Sequence, residues 1–130
     1  MAFTAHEEVF ASVSPDVRCL LESIQAKVEA SVPGASRCIG FNLPAFKQAR
    51  VFFYFAAFKK HIGIYPPVTQ DAQLIQELAS YRGEKGNLSF PLGEPLPIDL
   101  IGRVAVALSW QYARAPQTAL ARRALTSRWG

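Results

Sequence analysis

The chain has 130 residues, half of them apolar and 18% charged, with a formal net charge of +4. That length suits one domain with its own core, and that composition excludes both a disordered chain and a membrane-embedded one. No run of about 18 apolar residues exists to span a bilayer, and the acidic pair Glu7-Glu8 stands where a signal peptide would be basic, so a cytoplasmic protein is expected.

Phe3 to Val13 reads as a short helix, with Thr4 as its N-cap and Glu7-Glu8 in the first turn, where carboxylates suit the helix dipole. Ser14-Pro15 is a second helix start, a capping serine followed by proline at the first helical position. Val17, Leu20, Leu21, Ile24, Val28 and Val32 follow at helical spacing, so an amphipathic helix is predicted over about 15–31, stopped by Pro33-Gly34. Arg37 to Leu43 reads as a strand, with Gly40 marking a bulge or a close approach and Pro44 ending it. Ala45-Phe46-Lys47 is a further short strand, and Gln48-Ala49-Arg50 turns the chain.

Val51 to Pro67, VFFYFAAFKKHIGIYPP, is the most aromatic stretch and reads as a β-hairpin. With Lys59-Lys60 as the turn, Phe58 faces His61, Ala57 faces Ile62, Phe55 faces Ile64 and Tyr54 faces Tyr65. Side chains alternate along a strand. One face then carries Val51, Phe53, Phe55, Ala57, Ile62 and Ile64, an ordinary core. The other carries Phe52, Tyr54, Ala56, Phe58, His61, Gly63 and Tyr65: aromatic at its edges, small in the middle, and tipped with two phenols and an imidazole.

Thr69 caps a helix predicted over about 70–80, with Asp71 in its first turn and Leu74, Ile75 and Leu78 as its buried stripe. Arg82 to Gly86 is a polar loop without the spacing of a phosphate-binding loop. Asn87 to Phe90 is a short strand closed by Pro91, and Ile98 to Arg114 a helix with Trp110 off its apolar stripe. Clustered strands joined by short turns predict an α+β fold: a single antiparallel sheet of four to five strands with helices packed mainly on one face. The domain is expected to span 1–116, with 117–130 a basic extension.

Charge is unevenly placed. Up to Leu100 the chain carries nine basic and ten acidic residues; beyond it stand five arginines and no acid. With no known nucleic-acid motif and no interleaved aromatics, this reads as a solvated end and argues against nucleic acid as a partner. Cys19 and Cys38 are isolated, and read as reduced, small buried hydrophobes rather than ligands or nucleophiles. Neither a Ser-His-Asp grouping, an H-x-x-x-H pair nor a nucleotide fingerprint is present, so the chain is not expected to be an enzyme.

Four ordered segments, IGFNLPAFK (39–47), VFFYFAAFKKHIGIYP (51–66), KGNLSFP (85–91) and PLPIDLI (95–101), resemble the YdhG-like family, a domain of unknown function. The resemblance covers roughly residues 10–113. It implies an α+β fold with an antiparallel sheet covered by helices. Some members are described as frataxin-like intracellular iron chaperones, so iron is the one cofactor it suggests, and it offers no catalytic residues to carry over. This chain departs from the pattern at Arg37, where relatives often have an acid, and at Gly40, Phe41 and Asn42. Losing a carboxylate and a phenol counts against iron, which prefers carboxylate or imidazole ligands.

Three functions follow as expectations. The first is a binding protein that takes a small ligand on the second hairpin face through Phe52, Tyr54, Phe58, His61 and Tyr65, above a floor of Ala56 and Gly63, with Lys85 or Lys47 adding polar contacts. The second is iron binding through Glu7, Glu8, Asp16 or Glu22 with His6. The third is a protein-interaction module, a homodimer that covers the aromatic face with help from Trp110 and Trp129.

Overall fold

The computed structural model describes residues 2–83 and 86–113. Two helices lead, α1 (His6–Ala11) and α2 (Pro15–Ser31). Four strands follow: β1 (Ser36–Gly40), β2 (Leu43–Lys47), β3 (Val51–Ala57) and β4 (His61–Tyr65). A short helix α3 (Ala72–Glu77), a 3₁₀ turn (Ala79–Tyr81), β5 (Leu88–Pro91) and α4 (Ile98–Leu108) complete the order, and a wider helical turn runs on over Ser109–Ala113. The strands form one antiparallel sheet in sequence order, so β5 returns beside β4 after the α3 excursion. None of the described helices is long and apolar enough to cross a membrane.

The hairpin register is as the sequence predicts. Tyr54 pairs with Tyr65, Phe55 with Ile64, Ala56 with Gly63 and Ala57 with Ile62, and the Phe58 amide donates to the His61 carbonyl at 2.7 Å. The helices cover one side of the sheet. Their buried residues join Phe46, Phe53, Phe55, Ile62 and Ile64 in a single cluster. Full burial of each such ring or branched chain contributes about 1.5–3 kcal/mol relative to exposure. α2 starts where Ser14 and Pro15 predict, the Ser14 hydroxyl accepting from the Val17 amide at 3.4 Å. It packs along α4 at Gly102, where a Cβ would come 2.6 Å from Lys27 Cε and 2.9 Å from Ser31 Oγ.

Several local expectations are corrected. Thr4 does not cap α1; Ala5 holds the cap position, and Glu8 reaches back to accept from the Thr4 amide (2.6 Å) and hydroxyl (2.9 Å). Pro44 does not end a strand. The chain reverses earlier, at Phe41 and Asn42, both left-handed (φ 52° and 61°), and Pro44 sits inside β2 opposite Ile39. The cap of α3 is Asp71 rather than Thr69, because the Asp71 carboxylate stands three residues before the Leu74 amide that it accepts at 3.0 Å. Cys19 is exposed instead of buried, and both cysteines are free. The basic extension expected over 117–130 lies outside the described residues.

Arg37, the departure from the family pattern, holds α2 to β1. Its guanidinium donates to both oxygens of Glu29 and lies 3.7 Å from a Glu7 oxygen. The Arg37 hydrogen bond keeps the Glu29 carboxyl below its ordinary value of 4.5. A lowered carboxyl stabilises the fold above the unfolded value and stops doing so as pH falls through the folded one. Both side chains are more than a third exposed or close to it, at 45% and 35%. Arg37→Ala is therefore expected to cost less than about 1 kcal/mol at pH 7, with the difference fading below the ordinary value of 4.5. Urea unfolding of both chains at pH 7 and pH 3 checks this.

Candidate functional site

The side of the sheet away from the helices carries the rings singled out from the sequence. Phe58 is 44% exposed, and Tyr54, His61 and Tyr65 are half-buried. Every described helix buries its apolar residues in the cluster on the opposite side. One member of the predicted set is misplaced. Phe52 is fully buried in that opposite core, its ring centroid 6.5 Å from that of Phe53. The cause is a bulge. Phe46 pairs with Phe53 but Lys47 pairs with Val51, which leaves Phe52 as the extra residue of β3. An extra residue breaks the alternation and re-aims the side chain. Lys85 lies outside the described residues.

The surface is paved, not hollow. A Cβ on Gly63 would meet Tyr65 Oη at 2.7 Å and Phe58 Cε2 at 3.0 Å, so the two rings converge over the glycine instead of standing as walls around it. A Cβ on Gly40 would meet Tyr54 Cε2 at 2.7 Å, so Tyr54 leans across β2 towards β1. Phe58 and His61 stack, with centroids 4.9 Å apart and planes 24° apart. Glycine at 40 and 63 thus lets rings lie flat on the backbone.

Sequence reasoning missed Phe41. It stands at the tip of the β1–β2 hairpin, 87% exposed, its ring 5.7 Å from that of Tyr54. It also holds the left-handed conformation, which costs a residue with a Cβ roughly 1–2 kcal/mol. A bulky ring kept strained and wet at once points to a role outside folding. Phe41→Asn, which suits the turn, is expected to stabilise the chain by about 0.5–1 kcal/mol, as thermal unfolding would report.

Cys38 shares the face, opposite Ala45, and burial pushes its thiol up, away from the reactive thiolate. Lys47, Arg50, Lys59 and Lys60 are exposed at the ends of the face.

Three of the five predicted iron ligands, His6, Glu7 and Glu8, have other partners. His6 is buried, its Nε2–H between the carbonyls of Ala45 (2.9 Å) and Cys38 (3.0 Å). The Gln25 amide donates to its Nδ1 at 3.0 Å, which assigns this tautomer over the one in which Nε2 would accept from the Ala45 amide at a longer 3.3 Å. Glu8 holds Thr4, and Glu7 lies by Arg37. Asp16 and Glu22 are exposed on α2, and among the described residues no three His, Cys, Asp or Glu side chains gather. A groove of about 710 Å³, not anticipated from sequence, lies on the helix side between Lys27, Asp71, Asp99, Arg103 and Trp110. Its charges pair with neighbours, Lys27 with Asp99 (3.0 Å) and Arg103 with Glu77 (2.8 Å).

No family model and no curated protein matches the sequence. Solved structures do match. A DUF1801-family protein, YdhG of Bacillus subtilis, superposes with a TM-score of 0.72 at 19% identity, over 82% of this chain and 90% of that one. An uncharacterised conserved protein of Lactobacillus casei superposes with a TM-score of 0.52 at 19% identity, over 97% of this chain and 98% of that one. The fold of this chain is thus the YdhG-like α+β fold that the four sequence motifs resemble.

Proposed function

We propose that this protein is a non-enzymatic binding module that takes its ligand flat against the aromatic face of the sheet. The observation that carries the reading is the row of solvent-reaching rings, Phe41, Tyr54, Phe58, His61 and Tyr65, on the side the described helices leave uncovered. Exposed apolar patches of this kind mark interaction sites. Because the rings close over Gly63, the surface favours a planar partner over a small molecule sunk in a pocket.

The test is an aromatic NMR titration with 8-anilinonaphthalene-1-sulfonate, a flat anionic probe. The ring signals of Phe41, Tyr54, Phe58 and Tyr65 are expected to move while those of Phe46, Phe53 and Phe55 stay. Shifts confined to Trp110, or none at all, would overturn the reading.

Two alternatives have separate tests. A homodimer through the same face is favoured by the exposure of Phe41 and Phe58, and sedimentation as a strict monomer at high concentration argues against it. Iron binding draws on the family resemblance alone, and calorimetry with Fe(II) that gives no heat at micromolar protein counts against it.

A further inference from the structure

The aromatic face has an electrostatic setting that its sequence segments do not reveal one at a time. From Ala30 to Gln70 the chain carries no Asp or Glu, yet it has five bases, Arg37, Lys47, Arg50, Lys59 and Lys60. Those residues include the first four strands. Of the described acids, Glu7, Glu8, Asp16, Glu22, Glu29, Glu77 and Asp99 stand on the helices across the sheet, Asp71 caps α3, and Glu94 follows β5, beside Ser89 and Pro91. Of the five bases, Arg37 is committed to Glu29. The other four fall at the two ends of β3. Lys47 pairs with Val51 and acts on the Cys38 thiol; Arg50 immediately precedes β3. Lys59 and Lys60 follow Ala57 in the hairpin turn. β3 has seven residues, so these two pairs stand about 20 Å apart.

Between them lie the rings. Phe41 and Tyr54 form one group, and Phe58, His61 and Tyr65 the other. We infer that the face binds single-stranded polynucleotide, with bases stacked on the two ring groups and phosphates on Lys47 and Arg50 at one end and Lys59 and Lys60 at the other. Aromatic side chains on a bare sheet face accept two or three splayed bases in this way, and a basic surround tracks the backbone. A mononucleotide is too short to touch both charged ends. A duplex hides the base faces that the rings would meet. An apolar protein partner would not need four successive strands without a carboxylate. Unlike the arginines beyond Leu100, the bases of the sheet stand among aromatics once the chain is folded, because Phe41, Tyr54 and Phe58 come from different turns and strands.

The inference rests on reading this face as the binding surface, and the experiment separates the two. Fluorescence anisotropy is measured on the full chain with a labelled uridine 12-mer, the same length of abasic phosphodiester, and a 12-base-pair RNA duplex, at 50 and 200 mM salt. The uridine strand is expected to bind at least fivefold tighter than either control, with affinity falling as salt rises. Phe41→Asn and Phe58→Ala are each expected to lose roughly fivefold or more for the uridine strand and to leave the abasic strand unchanged. Lys59→Glu with Lys60→Glu is expected to weaken both strands. Equal affinity for uridine and abasic strands, or ring variants without effect, overturns the inference and leaves only charge attraction. No binding to the uridine strand while the naphthalene probe still moves the ring signals overturns the polynucleotide and keeps the face. No response to either ligand removes both.

Discussion

Phe52→Ala is expected to destabilise the protein by about 3–5 kcal/mol, enough to lower the melting temperature by about 10–20 °C in a chain of this size. Phe58→Ala, six residues further along the same segment, is expected to cost less than about 1 kcal/mol. Simple alternation puts both rings on the same side of the sheet. The bulge at Phe46–Lys47 separates them: Phe52 is fully enclosed beside Phe53, while Phe58 is 44% exposed. Truncating an enclosed ring removes its burial and leaves a cavity that the packed neighbours fill only partly. Truncating Phe58 removes a stacking contact with His61 and a ring lying over Gly63, and water takes the space. Urea denaturation of the two variants, with unchanged dependence on denaturant, reads the difference directly. Equal costs would mean that Phe52 shares the open face after all, and the binding surface would gain a ring at its lower end.

This pair also shows what was legible in the sequence and what was not. The register of the central hairpin could be read because a short turn and alternating residue types leave few ways to pair the two strands. The start of α2 could be read because Ser14 and Pro15 are local signals whose effect is felt within one turn. The bulge has no such signature: VFFYF contains neither glycine nor proline, and it is the pairing with Lys47, residues away, that makes Phe52 the extra one. The turn at Phe41-Asn42 was hidden for a related reason. Asparagine tolerates the left-handed region and phenylalanine does not, so half the turn signal is missing. Gly40 was readable as a close approach, but not that Tyr54 would be the neighbour. The face as a site thus emerged from local pattern, and its membership and flatness from long-range packing. Its charge was present in the sequence throughout, as a stretch without acids, and gained meaning only once the strands lay side by side.

Replacing His6 with leucine is expected to cost about 1–3 kcal/mol, the range for buried polar groups that lose a partner, and His6→Ala more, roughly 3–5 kcal/mol, because the space is then also emptied. The ring sits among Phe10, Phe46 and Phe55, at 5.8, 5.2 and 5.8 Å between centroids. It ties α1 to β1 and β2 through the Cys38 and Ala45 carbonyls, and to α2 through Gln25. Leucine restores most of the volume and none of the hydrogen bonds, so the leucine variant measures the polar clasp and the alanine variant adds the packing. Thermal and urea unfolding give both numbers. The result bears on function as well. A histidine committed on both ring nitrogens has no lone pair left for a metal, and Glu7 and Glu8 then lack an imidazole to share one with. A His6→Leu chain that is as stable as its parent but loses Fe(II) uptake would contradict the clasp and move the argument back to iron. A chain that is less stable yet takes up Fe(II) as its parent does would place any iron site away from His6.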